Sequence, residues 1–233
     1  MKWLQKVPRF RIVDREDFLV KYCSNKSVLH LGFVDSELLN ERINNNKWLH
    51  SKLNSVCASL WGVDIDEEGI GIAKINGYLN IVRGNVEDPG SINIRNKFDV
   101  VLAADIIEHL SNIRGLLETI RQNKSEKGVG IITTPNAMRY YNPIFSMFGF
   151  ELIHPTHTLW FSTSTIKYLL ESSGYEILDT YMFINASKFK PTINDSLARN
   201  LLKLPIYLLD RFFSWTLLRI CPLISDGLIV VFR

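Results

Sequence analysis

The stretch Ser27-Val28-Leu29-His30-Leu31-Gly32-Phe33-Val34-Asp35-Ser36 decides how this chain is read. Asn25-Lys26 forms a turn, Val28, Leu29 and Leu31 an apolar run, and Gly32 breaks that run before Glu37, Leu38 and Leu39 open a helical pattern. A short apolar strand that ends in glycine and feeds a helix is the first unit of a doubly wound α/β sheet. Its turn is where such sheets receive a nucleotide-like ligand. Two later stretches fall where this reading needs them: a strand ending in Asp64, and another running into Ala104-Asp105-Ile106-Ile107-Glu108-His109.

Working outward, residues 10–24 read as a lead-in with a short helix, Asp14 its N-cap and Phe18, Leu19 and Tyr22 its apolar face. Past Gly32 a helix begins near Asp35-Ser36, breaks at Asn44-Asn45-Asn46-Lys47 and resumes over Trp48 to Leu53. That break absorbs the 32 positions from Gly32 to Asp64, against ~20 in a minimal nucleotide-binding unit. Strands are expected at Ala58–Ile65, Leu79–Val82, Phe98–Ala104, Gly128–Thr134, Tyr175–Ile184 and Gly227–Phe232. Helices are expected over Glu67–Ile75, from Ser111 or Asn112 to Gln122, and over Ser164–Ser172.

This alternation predicts a mostly parallel, seven-stranded, doubly wound α/β sheet with right-handed crossovers. The loops 32–36, 64–66, 84–88, 105–109 and 135–161 then open on one edge and share a crevice. The last of them is long, as functional loops are, and carries Tyr140, Tyr141, His154, His157 and Trp160. The expected organisation is a core over 1–184, an apolar helical insertion over 185–226, and a closing strand over 227–233.

A hydrophobic fraction of 46% and a charged fraction of 22% are ordinary for a globular chain of 233 residues. Three scattered cysteines, Cys23, Cys57 and Cys221, argue against a disulfide framework or a zinc site and fit a reducing compartment. Met1–Asp17 holds no apolar core of signal-peptide length. The net charge of +3 is too small and dispersed for nucleic-acid binding, and its excess sits late: residues 185–233 hold seven basic against three acidic residues.

The insertion is apolar, yet Arg199, Lys203, Asp210, Arg211 and Arg219 interrupt it before any run reaches the ~18 residues of a membrane span. Tyr207, Asp210, Arg211 and Ser214 share one helical stripe, with a wide aromatic-rich face, including Phe213 and Trp215, opposite. Such a helix fits an anionic membrane surface reached through 197–220, a lid, or a homodimer face. A cytoplasmic protein, peripheral at the inner face of the membrane, is the matching expectation.

Asp64, at the tip of a buried strand across the switch point from Gly32, is placed to accept hydrogen bonds from a ribose diol. It competes with Asp66 for the plainer role of capping the next helix. Asn85 and Glu87 follow the third strand where a nucleobase would rest, and the Val86 backbone could meet an adenine edge.

In this order the motifs resemble the class I S-adenosylmethionine-dependent methyltransferases. The matching residues are Val28-Leu29-His30-Leu31-Gly32, Gly62-Val63-Asp64-Ile65-Asp66, Gly84-Asn85-Val86-Glu87-Asp88, Phe98 to Leu110, and Ile131-Ile132-Thr133-Thr134-Pro135-Asn136. The most specific piece is Asp105-Ile106-Ile107-Glu108-His109-Leu110, which looks like the motif after the corresponding strand of small-molecule O-methyltransferases. The resemblance implies S-adenosyl-L-methionine as cofactor, with His30, Gly32, Asp64, Ile65, Asn85, Val86, Glu87 and Asp105 around it. The first motif departs from the family pattern: His30 replaces an acidic residue, and Val34 and Ser36 stand where later glycines are usual.

Methyl transfer to a hydroxyl needs alignment and a proton acceptor. His109, beside a central strand end, is the candidate base, while capping the following helix is its competing role. His154 and His157, ahead of Trp160-Phe161-Ser162, resemble a stretch lining the acceptor pocket of these enzymes and complete the catalytic set. Asp105, Glu108 and His109 also resemble a metal cluster of quinone-pathway O-methyltransferases. Glu108 more often packs at a helix start, and no metal is assigned. The expected function is O-methylation of a small-molecule, glycan or lipid-linked acceptor. A catalytically silent methyltransferase-like scaffold is the alternative, and a nicotinamide-dependent oxidoreductase ranks third.

Overall fold

The computed structural model describes residues 6–35, 38–185, 190–191 and 195–233, without the side chains of 213–215. Ser36 and Glu37 of the first turn, and the side chains of Phe213, Ser214 and Trp215, therefore lie outside the described residues.

Eight strands form one sheet: β1 (Arg11–Val13), β2 (Ser27–Leu31), β3 (Ser59–Asp64), β4 (Ile81–Arg83), β5 (Phe98–Ala104), β6 (Lys124–Pro135), β7 (Ile177–Phe183) and β8 (Gly227–Phe232). Their order is β1-β7-β8-β6-β5-β2-β3-β4, and only β8 runs antiparallel to its neighbours. The α/β class agrees with the sequence reading; the strand number is eight rather than seven. The extra strand, β1, is too short to show a period of its own and gains its ladder only by pairing with β7, Arg11 opposite Tyr181.

The helices are α1 (Arg15–Cys23), α2 (Leu39–Asn44), α3 (Leu49–Asn54), α4 (Glu67–Ile75), α5 (Ile113–Asn123), α6 (Tyr141–Met147), α7 (Thr163–Ser172) and α8 (Leu197–Ile220). Polar caps set their starts. Asp14 accepts from the Asp17 N–H, Asp66 from Glu68 and Gly69, and Asn112 from Gly115, while Ser162 and Thr165 cap each other. The excursion 135–161, expected as a long functional loop, contains α6. Its Pro143 falls in the first turn, where a missing N–H costs nothing.

Both faces of the sheet are buried, which is why the central strands read as continuous apolar runs. Leu29 and Leu31 join Val101, Ile132 and Val230 on one face, and Val28 joins Val100, Leu102, Ile131 and Ile229 on the other. From β2 the chain builds outward through β3 and β4, then returns to lay β5 and β6 on the other side of β2. The switch point thus falls between β2 and β5, and the crevice opens at their C-terminal ends.

Candidate active site

Gly32 leaves β2 in the left-handed region at φ 64°, while its N–H still donates to the Val63 carbonyl at 2.8 Å. A Cβ there would stand 2.2 Å from Ile106 Cδ1, so both conformation and space demand glycine. Two residues on, the Val34 N–H donates to Asp64 Oδ2 at 2.8 Å, and the Asp66 N–H to Asp64 Oδ1 at 3.1 Å. Gly32 and Asp64 therefore line the same side of the crevice, clipped together by the carboxylate.

Asp66 takes the helix cap, leaving Asp64 for the crevice. Burial pushes the Asp64 carboxyl up, and the N–H groups of Asp66, Val34 and Ile65 pull it back down. A carboxylate has about four acceptor sites, so acceptor capacity remains beyond these three N–H bonds.

The bulky residues of the degenerate glycine motif are housed outside that clip. Phe33 is buried against Gly62, His50 and Trp48, and the Trp48 Nε1–H donates to its carbonyl at 2.9 Å. Val34 packs onto α4, where a Cβ on Gly69 would stand 2.1 Å from Val34 Cγ1. A glycine absent from the turn has a counterpart in the helix beneath it.

His30 lies elsewhere. It is buried in the face under α1 and α3, its Nδ1 3.3 Å from His50 Nδ1, and burial first, then His50 and Arg15, hold its pKa well below the usual range. On the adenine side, Ile65 is exposed, the Asn85 side chain accepts from the Glu87 N–H, and the Val86 carbonyl accepts from the Thr119 hydroxyl. The Glu87 carboxylate is spent on the start of α5, accepting from the N–H groups of Asn112 and Ser111 and from the Ser111 hydroxyl. The Asn112 bond leads in lowering its pKa. Its side chain serves the helix start rather than the crevice.

Across the switch point, Asp105 adopts φ 50°, an uncommon conformation for a residue with a side chain. Its N–H donates to the Thr133 carbonyl at 3.0 Å, and its Oδ1 accepts from the Thr133 hydroxyl at 2.6 Å. Its Oδ2 meets Arg15 Nη2 at 2.7 Å, and Arg15 Nε–H also donates to the Thr133 hydroxyl at 3.2 Å. Arg15 escaped the sequence reading because it opens a lead-in helix, and its partner Thr133 comes 118 positions later.

The three histidines expected to act together do meet. The ring centroids lie 4.6 Å apart for His109 and His157, 6.0 Å for His109 and His154, and 5.5 Å for His154 and His157. Thr156 Oγ1 bridges the first and second, 2.9 Å from His109 Nδ1 and 2.8 Å from His154 Nδ1. The excursion is pinned in place because the N–H groups of Thr158 and Leu159 both donate to the Glu108 carbonyl. Burial lowers the pKa of His109, and burial together with the other two histidines and Arg139 lowers that of His157 to about 4. Glu108 is buried with Oε2 unpartnered among the described residues. Burial first and Asp105 next raise its pKa to about 8.

Glu108, His109 and His157 bring one ligand atom each within 4.8 Å of one another, a grouping compatible with a metal ion. For S-adenosyl-L-methionine the fit is broader. Asp64 offers acceptors for a ribose diol, the Gly32 turn lets backbone approach closely, and Arg15 and Asp105 offer one charge of each sign for an amino-acid zwitterion.

A crevice of this make at the switch point of this sheet defines an S-adenosylmethionine-dependent methyltransferase. A family model described as a methyltransferase domain matches residues 45–180, more than half of the chain, and the chain belongs to that family. It is 28% identical over 99 residues to the ubiquinone biosynthesis O-methyltransferase of Pelagibacter ubique (strain HTCC1062), covering 41% of this chain and 40% of that relative. Among solved structures, a SAM-dependent methyltransferase from Archaeoglobus fulgidus superposes with a TM-score of 0.54 at 19% identity, over 94% of this chain and 90% of that one. Magnesium protoporphyrin IX methyltransferase from Synechocystis PCC 6803, with bound SAH, gives 0.57 at 12% identity over 93% and 80%. At such identities these two speak to the fold alone.

Proposed function

We propose that this methyltransferase acts on a hydroxyl oxygen of a small-molecule or lipid-linked acceptor, with His109 as the base. The observation that carries the reading is the Thr156 bridge between His109 and His154. A hydroxyl has one proton, so it donates to one Nδ1 and accepts from the other. With His109 Nδ1–H donating to Thr156 and Thr156 donating to His154, His109 keeps Nε2 unprotonated and able to take a proton. Burial, which lowers the His109 pKa, keeps that imidazole neutral at physiological pH.

Bound S-adenosyl-L-methionine supplies an electrophilic sulfonium methyl group. Asp64 and the Gly32 turn hold the ribose, Asn85, Val86 and Ile65 border the base, and Arg15 with Asp105 hold the amino-acid end. His154 and His157 flank His109 on the acceptor side and orient the hydroxyl. The similarity to the O-methyltransferase of Pelagibacter ubique supports oxygen as the acceptor atom.

The test is label transfer from radiolabelled S-adenosylmethionine to a panel holding a catechol, a monosaccharide, a polyprenyl alcohol and a primary amine. Label should enter at least one acceptor, and His109→Gln should cut the rate on the order of 10²-fold or more without loss of cofactor affinity. A rate untouched by that substitution removes His109 as base, and transfer to an amine probe alone removes oxygen.

A further inference from the structure

Helix α8 is turned inside out. Its half-buried stripe is polar: Asn200, Lys203, Tyr207 and Asp210, spaced three and four apart. Lys203 Nζ reaches Asp195 Oδ2 at 2.6 Å, and Asp210 accepts from the Tyr140 hydroxyl. The outward face carries Leu201, Leu202, Leu204, Leu208, Leu209 and Phe212, with Leu202 73% and Leu208 56% exposed. A helix arranged for water puts these faces the other way round. Single exposed leucines are ordinary; a whole helical face of them marks an interaction surface.

We infer that α8 lies along an anionic phospholipid surface with this face down. The charges favour lipid over a second copy of the chain. Arg199 and Arg211 stand at the two margins of the apolar face by the 3.6-residue period, and both are exposed. The two acidic residues of the segment, Asp195 and Asp210, are engaged with Lys203 and Arg199 and with Tyr140. Asp195 already serves Arg199 and Lys203 within its own chain, so an isologous pairing on this face would offer Arg211 no acidic partner from the same patch. Anionic headgroups offer many, and apolar side chains between basic margins suit the headgroup–acyl boundary. Among the described residues no helix is long and apolar enough to cross a membrane, so α8 lies on the surface rather than spanning it.

Tyr140, which holds Asp210, also begins the segment that runs through α6 to Met147, Phe148 and Phe150, exposed at 83%, 73% and 67%. That same excursion carries His154 and His157, so the polar stripe of α8 is tied to the chain segment that flanks His109.

Vesicle flotation tests this without reading methyl transfer, so it stands or falls apart from the hydroxyl reading. The protein should float with phosphatidylglycerol-containing vesicles, several-fold less with pure phosphatidylcholine, and less as salt rises. The variant Leu202→Gln/Leu208→Gln/Leu209→Gln should lose flotation while keeping its affinity for S-adenosylmethionine, which reports that it folds. Arg199→Gln/Arg211→Gln should weaken binding about tenfold or more. No flotation with either vesicle, or flotation unchanged in the leucine variant, overturns the proposal. A dimer in sedimentation that the leucine variant dissociates, with no flotation, assigns the face to a second copy.

Discussion

Arg15 Nη2 lies 2.7 Å from Asp105 Oδ2, so the residue that opens α1 and the residue that closes β5 form one ion pair at the mouth of the crevice. With side chains 24% and 40% exposed, the pair adds little to stability. Its value is as a charged site. Arg15→Ala should therefore weaken S-adenosylmethionine binding about tenfold, a loss of ~1.4 kcal/mol, with almost no change in melting temperature. Titration calorimetry beside thermal denaturation checks both halves, and an unchanged Kd would show the pair to be idle.

Val34 and Gly69 are complementary, and each should rescue the other. Gly69→Ala forces a methyl group against Val34 Cγ1 and should cost about 1–3 kcal/mol. Val34→Ala in the same chain should restore most of that. A double-mutant cycle by urea unfolding reads the coupling, and additive effects would mean the two side chains do not meet.

The buried His30–His50 pair should make the fold acid-sensitive. Burial holds both below the ordinary value of 6.5, His50 at about 3. Below 6.5 the unfolded chain binds protons that the native chain refuses. Stability is thus complete above 6.5 and drains as pH falls toward the native value. By about pH 5 the term for His50 is roughly 2 kcal/mol. Melting curves taken between neutral pH and about pH 5 should fall steeply for the natural chain and less so for His50→Gln; equal slopes would contradict the burial.

Glu108 acts in the opposite sense. Its pKa is raised to about 8, so between the ordinary 4.5 and that value the native chain holds a proton the unfolded chain has released. This term stabilises the fold below 4.5 and is lost as pH climbs through about 8. Glu108→Gln, which mimics the protonated form, should be near neutral in acid and raise the melting temperature by about 2–4 °C or more in mild alkali. A variant less stable than the natural chain at every pH would mean that Glu108 works as a carboxylate.

Much of this architecture was legible because strands buried on both faces announce themselves as apolar runs with abrupt ends, as at Gly32, Asp64 and Pro135. Caps were equally plain: Asp14, Asp66 and Asn112 sit where short polar side chains meet the start of an apolar period. What stayed hidden depends on distant partners. β1 is three residues long and exists only through β7. Arg15 reaches the crevice because α1 packs Leu19 and Cys23 under the sheet. Glu87 looks like a ligand contact until α5 folds back onto it, and the space for Val34 is written 35 positions later at Gly69. His30 occupies a motif position, yet strand alternation sends it to the opposite face.

The pairing of β1 with β7 sets Arg11 opposite Tyr181, 170 residues apart. During synthesis β1 has no ladder partner until the stretch around Phe183 is made, whereas α1 can already pack Leu19 and Cys23 against the face built by β2 and β5. A chain halted after β6 would thus offer Arg15 its partners Asp105 and Thr133 but not the Phe183 ring, which lies 5.8 Å from its guanidinium in the finished fold.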